Sequence, residues 1–326
     1  MIDAAIVGLG RWGQTLVDSL GEGSDAIRFT RAVTRTPAKV EDYASARGLA
    51  LGADYDAALA DPAVDAVVLA TPHSLHRRQI VAAAEAGKHV FCEKPLTLTA
   101  ADAAAAIEAA ESAGVTLAIG HNRRFAPNFR ALRAILDEGR LGDILHLEGN
   151  FSADLRRAAE TWRADQAESP AGGMTSLGIH VVDAFVGLAG PVTSVRTRSK
   201  RIALPFGVDD ATSVLIDFDS GCTGYLGTVA ATAHLYQLRV IGTGGWVQIH
   251  ALDRLEAEFV DGGREDRRWD GYDYPGYRTI RECLEAFAAA ASGGAAFPIP
   301  PGQIGHATSV LEAIVRSAAT GEAQPV

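Results

Sequence analysis

The chain has 326 residues, 48% of them apolar, and carries a formal charge of −10 with a pI near 5.4. That is enough apolar material to give two ordinary domains their cores, while the acidity argues against a nucleic acid or an anionic lipid surface as partner, since both repel a negative protein. Cys92, Cys222 and Cys283 are odd in number and far apart, so they supply neither a disulfide framework nor a zinc-holding spacing.

The first seven residues lack the positive segment and long apolar region of a secretion signal, and no later apolar run approaches the length of a membrane span, so a cytoplasmic protein is expected. Residues 2–7 read as a strand that runs into Gly8-Leu9-Gly10-Arg11-Trp12-Gly13, after which residues 14–20 take helical spacing. Gly8 allows the tight turn, Gly10 lets main-chain amides approach a pyrophosphate, and Gly13 lets helix and strand pack closely, with the anion on the helix amino end. Arg11 and Trp12, inside the same turn, are counted with it as cofactor-binding.

The next strand, at 27–33, is where a dinucleotide fold chooses its cofactor. A carboxylate just beyond it grips a ribose 2′-hydroxyl, whereas an arginine suits a 2′-phosphate. Thr34-Arg35-Thr36 follows, with Lys39 soon after, and Glu41 and Asp42 fall inside the next helix. NADP(H) is therefore favoured over NAD(H), with a merely solvated Arg35 as the plain alternative. The strand at 64–70 ends in Thr71-Pro72-His73-Ser74-Leu75-His76, a turn and helix start on the same carboxyl edge. Thr71 and Pro72 belong with the cofactor; His76 can line that site or satisfy its own helix.

The apolar run at 88–92 ends in Glu93-Lys94-Pro95, which reads as a buried parallel strand delivering a charged side chain to the edge where open α/β sheets bind ligands. Pro95 stops the ladder, so Lys94 is held by main-chain geometry; a solvated amine beside a turn is the other reading. Cys92 is a pocket thiol or a small buried hydrophobe. A strand at 115–119 closes the series and leads into Gly120-His121-Asn122-Arg123-Arg124-Phe125, so a doubly wound parallel sheet is expected over residues 1–122.

A second domain is expected over 123–326. Residues 125–138 read as a helix with Phe129, Leu132, Ile135 and Leu136 on one face. From 144 the period changes to alternation, seen at 144–151, in Val214, Ile216 and Phe218, and in Tyr236, Leu238 and Val240, which predicts a largely antiparallel sheet. Helices at 177–188 and 303–319 can cover one face, leaving the other open to a second copy, as a homodimer or homotetramer. In Gly172-Gly173-Met174-Thr175-Ser176-Leu177-Gly178-Ile179-His180-Val181-Val182-Asp183, helical spacing puts Ser176, His180 and Asp183 on one face, more polarity than a core needs. Arg163 precedes this segment and is either a contact for a carboxylate or ring hydroxyl or a surface residue; His234 and Tyr236 can wall a pocket; His306 reads as structural. Asp209-Asp210 and Glu265-Asp266 read as solvated loop charges, with no metal site at ligand spacing.

Taken in order, the glycine turn, Thr71-Pro72 with His76, Glu93-Lys94-Pro95 and Asn122-Arg123-Arg124-Phe125 resemble the Gfo/Idh/MocA family of NAD(P)-dependent oxidoreductases, and the resemblance extends over essentially the whole chain. It implies a Rossmann domain followed by an α+β domain with an open-faced sheet, acting on sugars, polyols, cyclitols or related carbonyl compounds. It implies a catalytic Lys94 that, with Glu93, also touches the cofactor, a cis peptide before Pro95, His180 as general acid/base, Asp183 as a contact to a substrate hydroxyl, and a substrate or cofactor contact from Trp162-Arg163. The chain departs at Ser176, where the family often has an aspartate; a hydroxyl donates or accepts a hydrogen bond but cannot fix a charged imidazolium. The expected function is hydride transfer between NADP(H), or NAD(H), and a secondary alcohol or its ketone on a polyhydroxylated small molecule. The rival classes are a redox-neutral enzyme that retains its dinucleotide and cleaves a glycosidic or ether bond through transient oxidation, and a non-catalytic dinucleotide-binding sensor.

Overall fold

Short apolar runs alternating with helices build the first of two units in the computed structural model, which describes residues 1–21, 23–272 and 276–326. Its strands are β1 (Ile2–Val7), β2 (Ile27–Val33), β3 (Ala50–Gly52), β4 (Ala66–Leu69), β5 (His89–Cys92) and β6 (Leu117–Ile119), all pairing in parallel in the order β3-β2-β1-β4-β5-β6. The helices between them are α1 (Arg11–Ser19), α2 (Glu41–Ala46), α3 (Tyr55–Leu59), α4 (His76–Glu85) and α5 (Ala100–Ser112). The strand order reverses between β1 and β4, and the crevice beyond the carboxyl ends of those two strands is where such sheets take ligands. β4 is wholly buried, as a strand covered on both faces must be, which explains its uninterrupted Ala-Val-Val-Leu.

The second unit holds α6 (Pro127–Asp137), β7 (Ile144–Asp154), a π-helical turn at Met174–Gly178, α7 (Ile179–Ala189), β8 (Val192–Lys200), β9 (Ala211–Phe218), β10 (Thr223–Val229), β11 (Ala231–Gly242), β12 (Gly245–His250), β13 (Arg254–Phe259) and β14 (Arg264–Arg268). Its sheet runs β14-β13-β12-β11-β7-β10-β9-β8, with β15 (Gln324–Pro325) at the far edge. All neighbours are antiparallel except β7 and β10.

One face of this sheet is buried. Leu147, Phe151, Leu226, Tyr236, Leu238 and Val240 share a single core with Phe129 and Leu132 of α6, Val181 and Phe185 of α7, and Val310 and Ile314 near the carboxyl end of the chain. Gly149 lets α7 approach, because a side chain there would run into Val181 and come 3.1 Å from the Phe185 ring. The opposite face carries a cross-strand row of Arg196, Leu215, Tyr225, Glu148, Arg239, Gln248, Glu256 and Asp266. Arg239 knits its centre, donating to Glu148 at 3.0 Å and Gln248 at 2.7 Å.

The last two helices are α8 (Tyr277–Ala291) and α9 (Pro301–Thr320). The sequence reading carries the second domain unbroken to 326, whereas in the structure Tyr277–Gly305 packs with the first unit. The reason lies in α8: Ile280, Cys283, Leu284 and Phe287 form its buried side, and Phe287 meets Phe91 of β5 edge to face at 5.7 Å. Among the described residues, no helix is long and apolar enough to cross a membrane. Replacing Gly149 by Val is expected to overpack the α7 contact at a cost of about 1–3 kcal/mol, read as a lower Tm and an earlier denaturant midpoint.

Candidate active site

One group of candidate residues lies at the carboxyl edge of the parallel sheet. Gly8 has φ +96°, and a Cβ on it would lie 2.5 Å from the Ala70 carbonyl oxygen, so the turns after β1 and β4 are pressed together. A side chain on Gly13 would run into the Gly8 carbonyl. Gly10 is different: it is exposed, and no protein atom stands within 4 Å of the position its Cβ would take. Protein packing therefore does not require glycine at 10, while close approach of a bound diphosphate does. Gly10 is also the N-cap of α1 and gives no side-chain cap, so the first-turn amides remain available to an anion. These features fit a dinucleotide. Arg11 is exposed and Trp12 half-buried beside them.

Beyond β2, Thr34 is half-buried and Arg35 exposed, and Glu41 and Asp42 occupy the first turn of α2. After β4, the Thr71 hydroxyl donates to Gln79 Oε1 at 2.6 Å, and Pro72 is half-buried. His76 has no exposed surface: its Nδ1 lies 3.1 and 3.0 Å from the carbonyls of Pro95 and Leu96, and its Nε2 lies 3.1 Å from that of Thr71. None of these three carbonyls belongs to α4, so the ring bonds outside its own helix. The ring stands behind the two loops and ties the end of β4 to the end of β5.

At the end of β5, Glu93 is buried with its carboxylate where a Gly120 side chain would go, 2.6 Å from the would-be Cβ. The Lys94 main-chain N–H donates to Glu93 Oε2 at 3.3 Å, the Lys94-Pro95 peptide is cis, and Lys94 is half-buried. Cys92 is fully buried and burial holds its thiol well above the usual range, so it is a small hydrophobe rather than a pocket nucleophile.

A second group of candidate residues is built inside the other unit. Arg124 forks onto Asp183, Nε to Oδ2 and Nη2 to Oδ1 at 2.8 Å each, and Nη2 also reaches the Asp183 carbonyl at 2.7 Å. Asp183 is nearly inaccessible, so this pair is a buried one and fixes the rotation of α7. Arg123 is buried between two rings, its guanidinium carbon 4.1 Å from the Phe151 centroid and 4.3 Å from that of Tyr236. Burial pushes the Tyr236 hydroxyl up to about 12. Phe151 also packs against His180 and His234, each at 5.7 Å between centroids, and against Tyr236 at 5.3 Å.

His180 sits in the first turn of α7 and Ser176, half-buried, in the π-turn ahead of it. The sequence predicts plain α-helical spacing here; the structure has an i→i+5 turn instead. Its surroundings are crowded. Gly172, at φ +53°, is pressed on the Asp209 main chain, the Thr175 hydroxyl donates to the Pro170 carbonyl, and a Gly178 side chain would collide with Met174 sulfur. Arg163 stacks 4.2 Å over the Trp162 ring in a short 3-10 turn. His306 Nε2 accepts from the Val192 amide at 2.8 Å, a structural role.

Sequence reasoning missed the part played by Phe151. Its only local signal is its place as the last apolar residue of an alternating run.

The profile of an oxidoreductase family with an NAD-binding Rossmann fold matches residues 2–121, and that of the GFO/IDH/MocA C-terminal domain matches residues 129–248. A D-xylose 1-dehydrogenase (NADP(+)) of Haloferax volcanii is 31% identical over 280 residues, 82% of each chain. A scyllo-inositol 2-dehydrogenase (NAD(+)) of Bacillus subtilis is 30% identical over 260 residues, 77% of this chain and 74% of the relative. Among solved structures, an aldose-aldose oxidoreductase from Caulobacter crescentus complexed with glycerol superposes with a TM-score of 0.87 at 26% identity, covering 100% of this chain and 99% of that one. The two profiles together take in most of the sequence, and the chain belongs to the Gfo/Idh/MocA family of NAD(P)-dependent oxidoreductases.

Proposed function

We propose that the protein is an NADP(H)-preferring dehydrogenase or reductase of a secondary alcohol or ketone on a sugar, polyol or cyclitol. The observation that carries this reading is Lys94, held at the carboxyl edge of β5 by the buried Glu93 and by Pro95. The xylose and inositol relatives, which act on polyhydroxylated compounds by name, support the substrate class. When bound, the dinucleotide supplies the group that takes or gives the hydride.

The chain's own residues do the rest. Gly8, Gly10 and Gly13 with the amino end of α1 hold the diphosphate, and Thr71, Pro72 and Glu93 line the same edge. His180 takes the proton of the reacting hydroxyl and returns it in the reverse direction, and the Lys94 ammonium steadies the oxygen as charge develops on it. Asp183, oriented by its fork with Arg124, contacts a substrate hydroxyl. Ser176 and Arg163 contribute hydrogen bonds to the same substrate. His76 acts through the loops it ties together and is a positioning residue.

The preference for NADP(H) rests on Arg35, exposed just past β2 in a stretch, residues 34–40, whose sequence holds no acid. A guanidinium there matches a 2′-phosphate and has nothing comparable to grip on a 2′-hydroxyl. The open face of the second sheet supports a homo-oligomer: Leu215 and Tyr225 are adjacent in the cross-strand row, 59% and 39% exposed.

Lys94→Ala is expected to lower kcat by about 10²–10⁴-fold while the dissociation constant for NADP(H), by fluorescence titration, stays within about tenfold; wild-type turnover in this variant rejects the catalytic role. Arg35→Ala is expected to weaken NADP(H) by about tenfold or more, the worth of a charged hydrogen bond, and to leave NAD(H) nearly unchanged; equal losses for both cofactors remove the argument for preference. Leu215→Lys is expected to shift the mass measured by light scattering toward the monomer, and a wild-type protein that is already monomeric sinks the oligomer proposal.

A further inference from the structure

Strand β11 shifts its register against β7 twice, between Ala231 and Leu235 and between Ile241 and Gly242, and the larger shift is the first. Ala231 pairs with Asp154 and Leu235 with Ser152, so four residues on β11 advance against two on β7. From Leu235 to Ile241 the ladder is regular, Tyr236 opposite Phe151 and Leu238 opposite Gly149. Irregularities of this kind occur next to active sites, where they re-aim a side chain. The side chain at issue is His234. It lies two residues before the buried Tyr236, yet it is exposed.

What His234 touches ties it to the chemistry. Its ring meets Phe151 edge-on, centroids 5.7 Å apart at 71°, and the same Phe151 ring meets His180 at 5.7 Å. The Arg123 guanidinium carbon lies 4.1 Å from the centroid of the same Phe151 ring. Two imidazoles therefore flank one buried ring, one of them the proposed base and the other open to solvent. A core does not need an exposed histidine on its apolar face, and the alternation of β11 offers no reason for one.

We propose that His234 is a substrate-contacting residue that determines specificity, binding a hydroxyl of the polyol remote from the carbon served by His180. Burial first, and then the charge on Arg123, lower the basicity of His234 and favour its neutral form. A neutral imidazole can donate from one nitrogen and accept at the other, which matches a hydroxyl that does both. The selective force of such a contact is large when the partner hydroxyl is missing, since the site is then left with a polar group unpaired.

The inference rests on the dehydrogenase reading above, and the test separates the two. Full-length wild type, His234→Ala and His234→Gln are assayed with NADP and NAD against D-xylose, D-glucose, scyllo-inositol and their deoxy analogues. On any substrate the wild type turns over, His234→Ala is expected to raise KM about tenfold or more with kcat within about threefold, and His234→Gln, which keeps a donor and an acceptor, to recover part of that loss. One deoxy analogue is expected to lose the difference between wild type and His234→Ala. An unchanged KM in His234→Ala, or a fall in kcat alone, overturns the contact while leaving the dehydrogenase reading in place. A wild type with no turnover on any of these compounds overturns both.

Discussion

Two adjacent guanidiniums enter the interior of the second unit, and a charge taken out of water must be neutralised where it stands. Arg124 meets the carboxylate of Asp183, and Arg123 meets the faces of Phe151 and Tyr236. Removing one partner of a buried pair typically costs about 3–5 kcal/mol, whereas a cation over a desolvated ring gains about 2 kcal/mol. The aspartate pair therefore sets the geometry and the ring sandwich follows it. Asp183 lies one turn beyond His180 on α7, so the fork from Arg124 also fixes the direction in which the imidazole faces.

In the first unit the controlling constraint is steric. Gly8, Gly13 and Gly120 occupy places where another group already sits: the Ala70 carbonyl, the Gly8 carbonyl and the Glu93 carboxylate. The sheet edge is thus compressed from inside, and the functional side chains at its rim are those that main chain and buried partners hold still. His76 extends the same logic through hydrogen bonds, since one buried ring reaches three carbonyls on two loops.

Much of this was legible in the sequence. The parallel strands announce themselves as apolar runs that end in turn residues, and Gly8 to Gly13 and Glu93-Lys94-Pro95 fall at the ends of such runs. What stayed hidden is non-local. The amphipathic face of α8 looks the same whichever sheet receives it, so nothing in residues 277–291 says that they pack beside Phe91. The sandwich around Arg123 joins residues from three separate segments, and although Tyr236 can be read from the sequence as a pocket wall, nothing there pairs it with Phe151 across Arg123. The ends of His76's hydrogen bonds are main-chain atoms, which have no letter of their own.

The widened turn at Met174–Gly178 has a consequence for how this protein can change over generations. A single i→i+5 turn holds one residue more than the α-helical path it interrupts, so the loss of one residue there would restore the ordinary coil. Everything upstream, including Ser176 and the glycine pair at 172 and 173, would then rotate by about 100° relative to His180, while α7 kept its hold on Arg124. In this segment a one-codon deletion can therefore change what surrounds His180 without disturbing the helix that carries it, and relatives with different substrates are expected to vary in length here more readily than within α7.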